Sequence, residues 1–421
     1  MEGKEHFDER QRQRLTYCLY LVGFLDLFGV SLLIPLISHH ARELGASPTT
    51  VGMIMSIYGT LQLISGPFVG RWSDVSGRRF VLLFCLLMTG VGYFLKSIAT
   101  TVLFLILSRI PLGLFKHGME ANKALFAETT PKEDRPRVFG QYNACSSTGF
   151  ILGPLIGGYL SEVEGGFYTV ARITSLLFFL NFVIVFFFIH PPIAKTLSRT
   201  ESVRAFTTDE FSLNIKDFFK SFRLIFDTCF DIFIVRFLMA FAIIIYRSNF
   251  SLMLQQEFDI TPKTIGQLIS FGSMVSTAAG MFTGRIVKFY SNETRLLLHS
   301  SIAQVLTLIG LTFAANLPMF VFCITCLSVE NSVSRVCITD MSVKRSNRDN
   351  TGALLGLSAS LMSTARAIAP FIAGLSQEIS YKGPGIIGIT SGVIGCVCIV
   401  TILKSSDSDT HKKDDTQKKD D

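Results

Sequence analysis

The sequence is poor in charge: Asp, Glu, Lys and Arg make up 17% of its 421 residues, against about 25% in a soluble domain. Tryptophan occurs once. There is no nucleotide-binding glycine loop, no metal-ligand cluster and no catalytic triad on polar segments. These absences exclude a soluble enzyme and leave no cofactor or metal to expect. Long polar intervals are few, which excludes a disordered protein. The net charge of +7 would suit a nucleic-acid binder, but the basic residues are not gathered on a soluble module, so no nucleic-acid partner is expected. The nine Cys lie in or beside apolar runs. Even Cys323 and Cys326, spaced as C-x-x-C, fall within one, and all are read as small core residues.

Apolar length is what the chain has in abundance. Hydrophobic residues make up 49% of it and Phe alone counts 38, with a mean hydropathy of +0.45. Because about 20 apolar residues cross a bilayer as a helix, the sequence predicts an all-α membrane protein. Twelve transmembrane helices are expected, over 15–37, 49–69, 80–98, 101–125, 138–160, 169–190, 230–252, 264–284, 295–314, 317–339, 352–376 and 385–403. The first run is too long for a signal-peptide h-region and is expected to stay in the membrane. One long polar interval divides the spans six and six. The expected organisation is a cytoplasmic N-terminus (1–14), an N-terminal six-helix bundle (15–190), a cytoplasmic central loop (191–229), a C-terminal six-helix bundle (230–403) and a cytoplasmic tail (404–421). Lys and Arg concentrate in the loops that share a side with the N-terminus, while Arg42, Lys96, Lys263 and Lys382 fall on the other side. By the positive-inside rule both termini are cytoplasmic, and most of the positive charge is a topology signal.

The two halves repeat. Gly140, Pro154 and Gly158 near helix 5 have the spacing of Gly356, Pro370 and Gly374 near helix 11, at an offset of 216 residues. At the same offset Gly149, Gly153 and Gly157 correspond to Ala365, Ala369 and Ala373. Small residues every fourth position let another helix backbone approach closely. Two pseudo-symmetric six-helix bundles about a midplane site are the architecture of many secondary transporters.

Between helices 2 and 3 stands Gly70-Arg-Trp-Ser-Asp74-Val-Ser-Gly77-Arg78-Arg79. It resembles the loop signature of the major facilitator superfamily, with Trp72 for the usual Leu and Val75 for the usual Arg. The resemblance implies that Asp74 and Arg78 form a cytoplasmic clasp between conformations. Helix 5 carries Gly149-x-x-x-Gly153-Pro154-x-x-Gly157-Gly158, which resembles the signature of the antiporter branch of that superfamily. Pro154 frees the carbonyl of Phe150, so the helix can bend there. Other strings, among them YLVGFLDLFGVSLLIPLIS and YRSNF, are similar to a vertebrate member of the superfamily, and the segment 352–374 is similar to its organic-cation-transporter-like proteins.

Helix 1 places Asp26 before Gly29 and Pro35, a pattern that resembles helix 1 of tetracycline-resistance-type proton antiporters. Gly92 stands where those proteins carry a second acidic residue, which argues against a metal-chelated drug as substrate. A carboxylate near mid-span must be protonated, paired or hydrated. Two readings of Asp26 stay open: proton coupling or substrate binding, and partnership with an intramembrane arginine. On helix 4, Arg109 and Gly113 fit an R-x-x-x-G element of the superfamily, and the resemblance implies a part for Arg109 in proton or substrate coupling. Lys116, Glu120 and Lys123 follow at helical steps, predicting one charged face with His117 on an adjoining face. Glu120 either neutralises its two lysine neighbours or faces a central cavity.

In the second half, Arg236 and Arg335 are expected to reach the interface, whereas Arg247, Glu330 and Arg366 lie deeper and are cavity candidates. The segment Gly284-Arg285-Ile-Val-Lys288 is expected as a loop after helix 8 that lacks the acidic partner of Asp74. The excess of positive charge within the spans favours an anionic organic solute. Neither sequon, Asn249 or Asn292, is expected to be glycosylated, and the Lys418-Lys419 tail resembles a dilysine retrieval signal. The expectation is a monomeric secondary transporter in a lipid bilayer, moving a small organic solute in exchange for protons. A uniporter and a non-transporting sensor or scaffold of the same fold stay open beside it.

Overall fold

The computed structural model describes residues 9–131, 133–190, 230–248, 250–290, 293–345 and 351–420. Among the described residues there is no strand, and the predicted spans are helical apart from breaks within the first and fourth. Nine helical stretches are long and apolar enough to cross a membrane. The other three expected spans, at 138–160, 230–252 and 352–376, also lie on helices. The central interval 191–229 and the sequons Asn249 and Asn292 lie outside the described residues. The chain gathers into two compact units, one drawn from Met1–Asn214 with Leu254–Ser273 and the other from Ile215–Met253 with Met274–Asp421.

The first unit holds α1 (Glu9–Leu32), α2 (Ile34–Glu43), α3 (Pro48–Ser76), α4 (Arg78–Ser97), α5 (Val102–Leu107), α6 (Arg109–Phe115), α7 (Gly118–Thr129), α8 (Arg135–Leu160) and α9 (Gly166–Phe188). Helix 1 of the sequence is thus two pieces, broken at Leu33. Pro35 lacks the amide that would bond the carbonyl of Ser31. Ser47 starts α3 by accepting from the amide of Thr50 at 3.2 Å, with Pro48 as first helical residue. The expected loop from Gly70 to Arg79 is helical up to Ser76, and the turn is Gly77 alone, at φ +92°. Residues 71–76 contain neither Gly nor Pro, and Gly77 supplies the turn at positive φ.

The glycine stripe of α8 sets the distance to α1. A Cβ built on Gly149 would lie 2.5 Å from the Phe24 carbonyl oxygen, and one on Gly157 would overlap the carbonyl of Leu32. On another side of α8, Gly158 meets the backbone of Lys263. Polar side chains then join helices by donating to backbone carbonyls: Ser31 to Gly149 at 3.3 Å, Thr174 to Gly29 at 3.2 Å, Asn181 to Val22 at 3.1 Å and Ser175 to Gly90 at 2.9 Å. In an apolar medium such bonds and close backbone approach replace the hydrophobic drive.

The second unit holds α10 (230–248), the start of α11 (Phe250–Phe258), the later part of α12 (Pro262–Phe289), then α13 (Glu293–Thr312), α14 (Leu317–Arg345), α15 (Thr351–Ile379) and α16 (Gly383–Asp420). Helix α13 packs on α14 and α16. The core joins Ile232, Val235 and Met239 of α10 to Leu296, Leu297, Val333 and Ile399. Ala369 and Ala373 on α15 pack against Ile245, a small-residue stripe on helix 11 meeting helix 7 as the α8 glycines meet α1. Gly284 to Lys288 are not a loop, because α12 runs on to Phe289. The surroundings of Gly284, Lys288 and Gly356 are not among those described.

Candidate functional site

Helix 4 is not the continuous ridge expected of it. It divides into α5, α6 and α7, with Lys116 at φ −76°, ψ +58° and His117 at φ −115°, ψ +16° between the last two. Backbone groups freed by such a break need partners, and α3 supplies them. Gln62 Nε2 donates to the carbonyl of Lys116 at 3.1 Å, and Ser65 Oγ donates to the carbonyl of Gly113 at 3.2 Å. Ser65 Oγ also lies 2.8 Å from His117 Nε2. Neither Gln62 nor Ser65 stands out in the sequence, because their task depends on a break that residue spacing does not reveal.

The break turns Lys116 toward α1, where its ammonium pairs with Asp26. Both are buried, Asp26 at 2% exposure and Lys116 at 8%. The partner of Asp26 is therefore a lysine and not an arginine. Its other oxygen stands beside Gly118, the first residue of α7, where an added Cβ would lie 3.1 Å from Oδ2. A carboxylate at a helix N-terminus is favoured by the peptide dipoles. The ring of Phe178 faces Lys116 Nζ at 5.0 Å. Glu120, expected on the same face as Lys116, is exposed instead, and Lys123 is half-buried. The break sets Lys116 apart from α7, where Glu120 and Lys123 stay one helical step from each other.

Arg109 opens α6 and is 5% exposed, with one nitrogen 3.5 Å from Met55 Sδ. Lys96 is wholly buried in the last turn of α4 and is not the loop residue that the charge pattern predicts. Gly92 explains why no acid replaces it without rearrangement: a Cβ there would lie 2.7 Å from Leu112 Cγ.

Around Gly77, Arg78 holds Asp74 at 2.5 Å and also Glu128, at the end of α7, at 2.9 Å. Arg79 donates to the Phe186 carbonyl at 2.6 Å. Glu128 escaped the sequence reading because nothing local links it to Arg78. In the second unit Thr307 Oγ1 donates to Glu330 at 2.8 Å, and Arg366 donates to Ser363 at 2.9 Å. Arg247 and Arg366 are exposed and Glu330 is half-buried. Among the described residues none of these three forms an ion pair.

A many-helix membrane protein with an interrupted helix and charges inside its spans belongs with the multi-pass transporters. The chain matches the Major Facilitator Superfamily over residues 19–370, with a second match over 232–420, and belongs to that family. It is 27% identical over 404 residues to solute carrier family 22 member 18 of Rattus norvegicus, covering 93% of this chain and 94% of that one. To the quinolone resistance protein NorA of Staphylococcus aureus it is 26% identical over 389 residues, 91% of this chain and 95% of that one. Among solved structures, the human organic anion transporter MFSD10 (TETRAN) aligns with a TM-score of 0.64 at 19% identity, over 92% of this chain and 99% of that one. A bacterial homologue of the lysosomal transporter Spinster aligns at 0.73 with 14% identity, over 94% and 96%. These two likenesses establish the fold: an all-α membrane protein of the major facilitator architecture.

Proposed function

We propose that this membrane transporter is a proton-coupled antiporter of a small organic solute, working by alternating access, and that the Asp26–Lys116 pair is its proton-sensitive element. The observation that carries the reading is the placement of that pair at the break in helix 4. An ion pair buried from water is strongly destabilised when one partner leaves, because the other charge stays uncompensated. Motion that separates α1 from the α6–α7 junction therefore needs a proton on Asp26, or a charged group of the solute in place of one partner. His117, hydrogen-bonded to Ser65 beside the break, supplies a second titratable group to the junction. Proton entry and solute release are then linked through one set of contacts. The resemblance of helix 5 to antiporters supports exchange over uniport, and the cost of buried ions disfavours a mere scaffold. Asp74, Arg78 and Glu128 are assigned to the conformational clasp, and the small residues of helix 5 with Pro370 and Gly374 to helix packing. Arg247, Glu330 and Arg366 remain the proposed cavity residues of the second half.

The test is uptake of a fluorescent quinolone, the compound class named for one relative, into proteoliposomes with and without an imposed pH gradient. Wild type should accumulate it several-fold more with the gradient. Asp26→Asn should lose that difference, and so should Asp26→Asn with Lys116→Met, which leaves no unpaired charge behind. Gradient-driven uptake that survives intact in Asp26→Asn rejects the role given to Asp26.

A further inference from the structure

The first unit buries two further basic side chains that the Asp26–Lys116 pair does not use. Gly92 of α4 touches Leu112 of α6. Lys96 lies four residues beyond Gly92, and Arg109 lies three residues before Leu112 on a chain running the opposite way. At 1.5 Å of rise per residue both end about 5 Å past that contact, at the same level on adjoining helices. Their exposures are 0% and 5%. Lys96 Nζ stands 4.8 Å from the centre of the Tyr93 ring and has no hydrogen-bond partner. Arg109 Nε also has none, and the thioether of Met55 is a weak acceptor for its other nitrogen. Among the described residues no carboxylate forms an ion pair with either. A guanidinium does not shed its proton, and an uncompensated buried charge is costly.

We propose that a small monovalent anion, a halide or a carboxylate group, binds between Lys96 and Arg109 and completes this part of the first unit. The inference rests on the transport reading in one respect: a solute carboxylate seated here would make the site part of the transport path. Its own test reads binding and leaves proton coupling aside. Size and valence follow from the setting. An ammonium beside the Tyr93 ring and a guanidinium beside the Met55 thioether, both buried, suit an anion that sheds its water and accepts from both.

The experiment is thermal unfolding of the purified full chain in detergent, at fixed ionic strength with a bulky sulfonate as the background anion. Chloride and bromide form one titration arm and acetate and benzoate the other. A saturable rise of about 2–4 °C at ten times the half-saturating concentration is expected, and Lys96→Met should abolish it. In sulfonate alone Lys96→Met should melt no lower than wild type, since the amine has no hydrogen-bond partner to lose. Stabilisation by carboxylates but not halides identifies a solute group as the occupant, and stabilisation by both identifies a site that free anions also fill. Should Lys96→Met fail to fold, Arg109→Lys carries the same comparison, with half-saturation moved several-fold higher. No saturable rise with any of the four anions, or an equal rise in wild type and variant, overturns the proposal.

Discussion

In the first unit the carbonyl of Val22 accepts from Asn181 of helix 6, and in the second the carbonyl of Leu238, 216 residues later, accepts from Ser391 of helix 12. The two units thus share a frame down to single backbone acceptors. What they bury differs. At the offset that relates Val22 to Leu238, Asp26 corresponds to Ala242, which is wholly buried. The first unit hides Asp26, Lys96, Arg109 and Lys116, whereas Arg247, Arg335 and Arg366 of the second are exposed. Packing was therefore kept in both halves, while among the described residues the ion pair buried from water lies in the first. The frame needs small residues and carbonyl acceptors at fixed positions; the charges are additions to it.

The largest effects should come from unbalancing the buried charges. Lys116→Met leaves the Asp26 carboxylate alone and should cost about 3–5 kcal/mol of stability, while Asp26→Asn with Lys116→Met should recover most of that loss. Unfolding in detergent measures both, and a double variant no better than the single one would show that the pair is not what holds these residues. Placing the acid in the other half, Ala242→Asp, should be about as damaging as Lys116→Met, because the position has no exposure to water. Next come the small-residue contacts. Gly157→Val pushes against the Leu32 carbonyl and should lose about 3 kcal/mol or more, whereas Gly140→Ala, with open space around it, should stay within about 0.5 kcal/mol. The smallest effects belong to the second unit: about 1 kcal/mol for Glu330→Gln, which keeps a hydrogen bond with Thr307, and less than about 0.5 kcal/mol for Arg366→Gln at an exposed site. If Glu330→Gln rivals Lys116→Met, the asymmetry between the units is wrong.

Much of the fold was legible because membrane spans are long enough for apolar run length to find them. The repeat was visible too, in glycines and prolines whose spacing survives in both halves. Helix 4 was misread for a physical reason. Its charges keep helical spacing, but Gln62 and Ser65 on α3 accommodate a break at Lys116–His117 that only tertiary structure reveals. Asp26 could be picked out as a mid-span carboxylate, yet its lysine partner sits 90 positions away and depends on that same break. Lys96 was misplaced because a lysine near a predicted span end looks like a boundary marker until its burial is seen. In the clasp, Arg78 and Asp74 are four residues apart and legible, while Glu128 is not.

Whether proton arrival at Asp26 opens the pair is open to direct spectroscopy. Difference infrared spectra of the protein in lipid, recorded across a downward pH step, should show a carboxylate band lost and a protonated carboxyl band gained, both missing in Asp26→Asn. Those bands should also appear at higher pH in Lys116→Met, where the ammonium no longer holds the carboxylate charged. A spectrum in which Asp26→Asn changes nothing, or in which the bands stay unmoved without Lys116, would contradict the account.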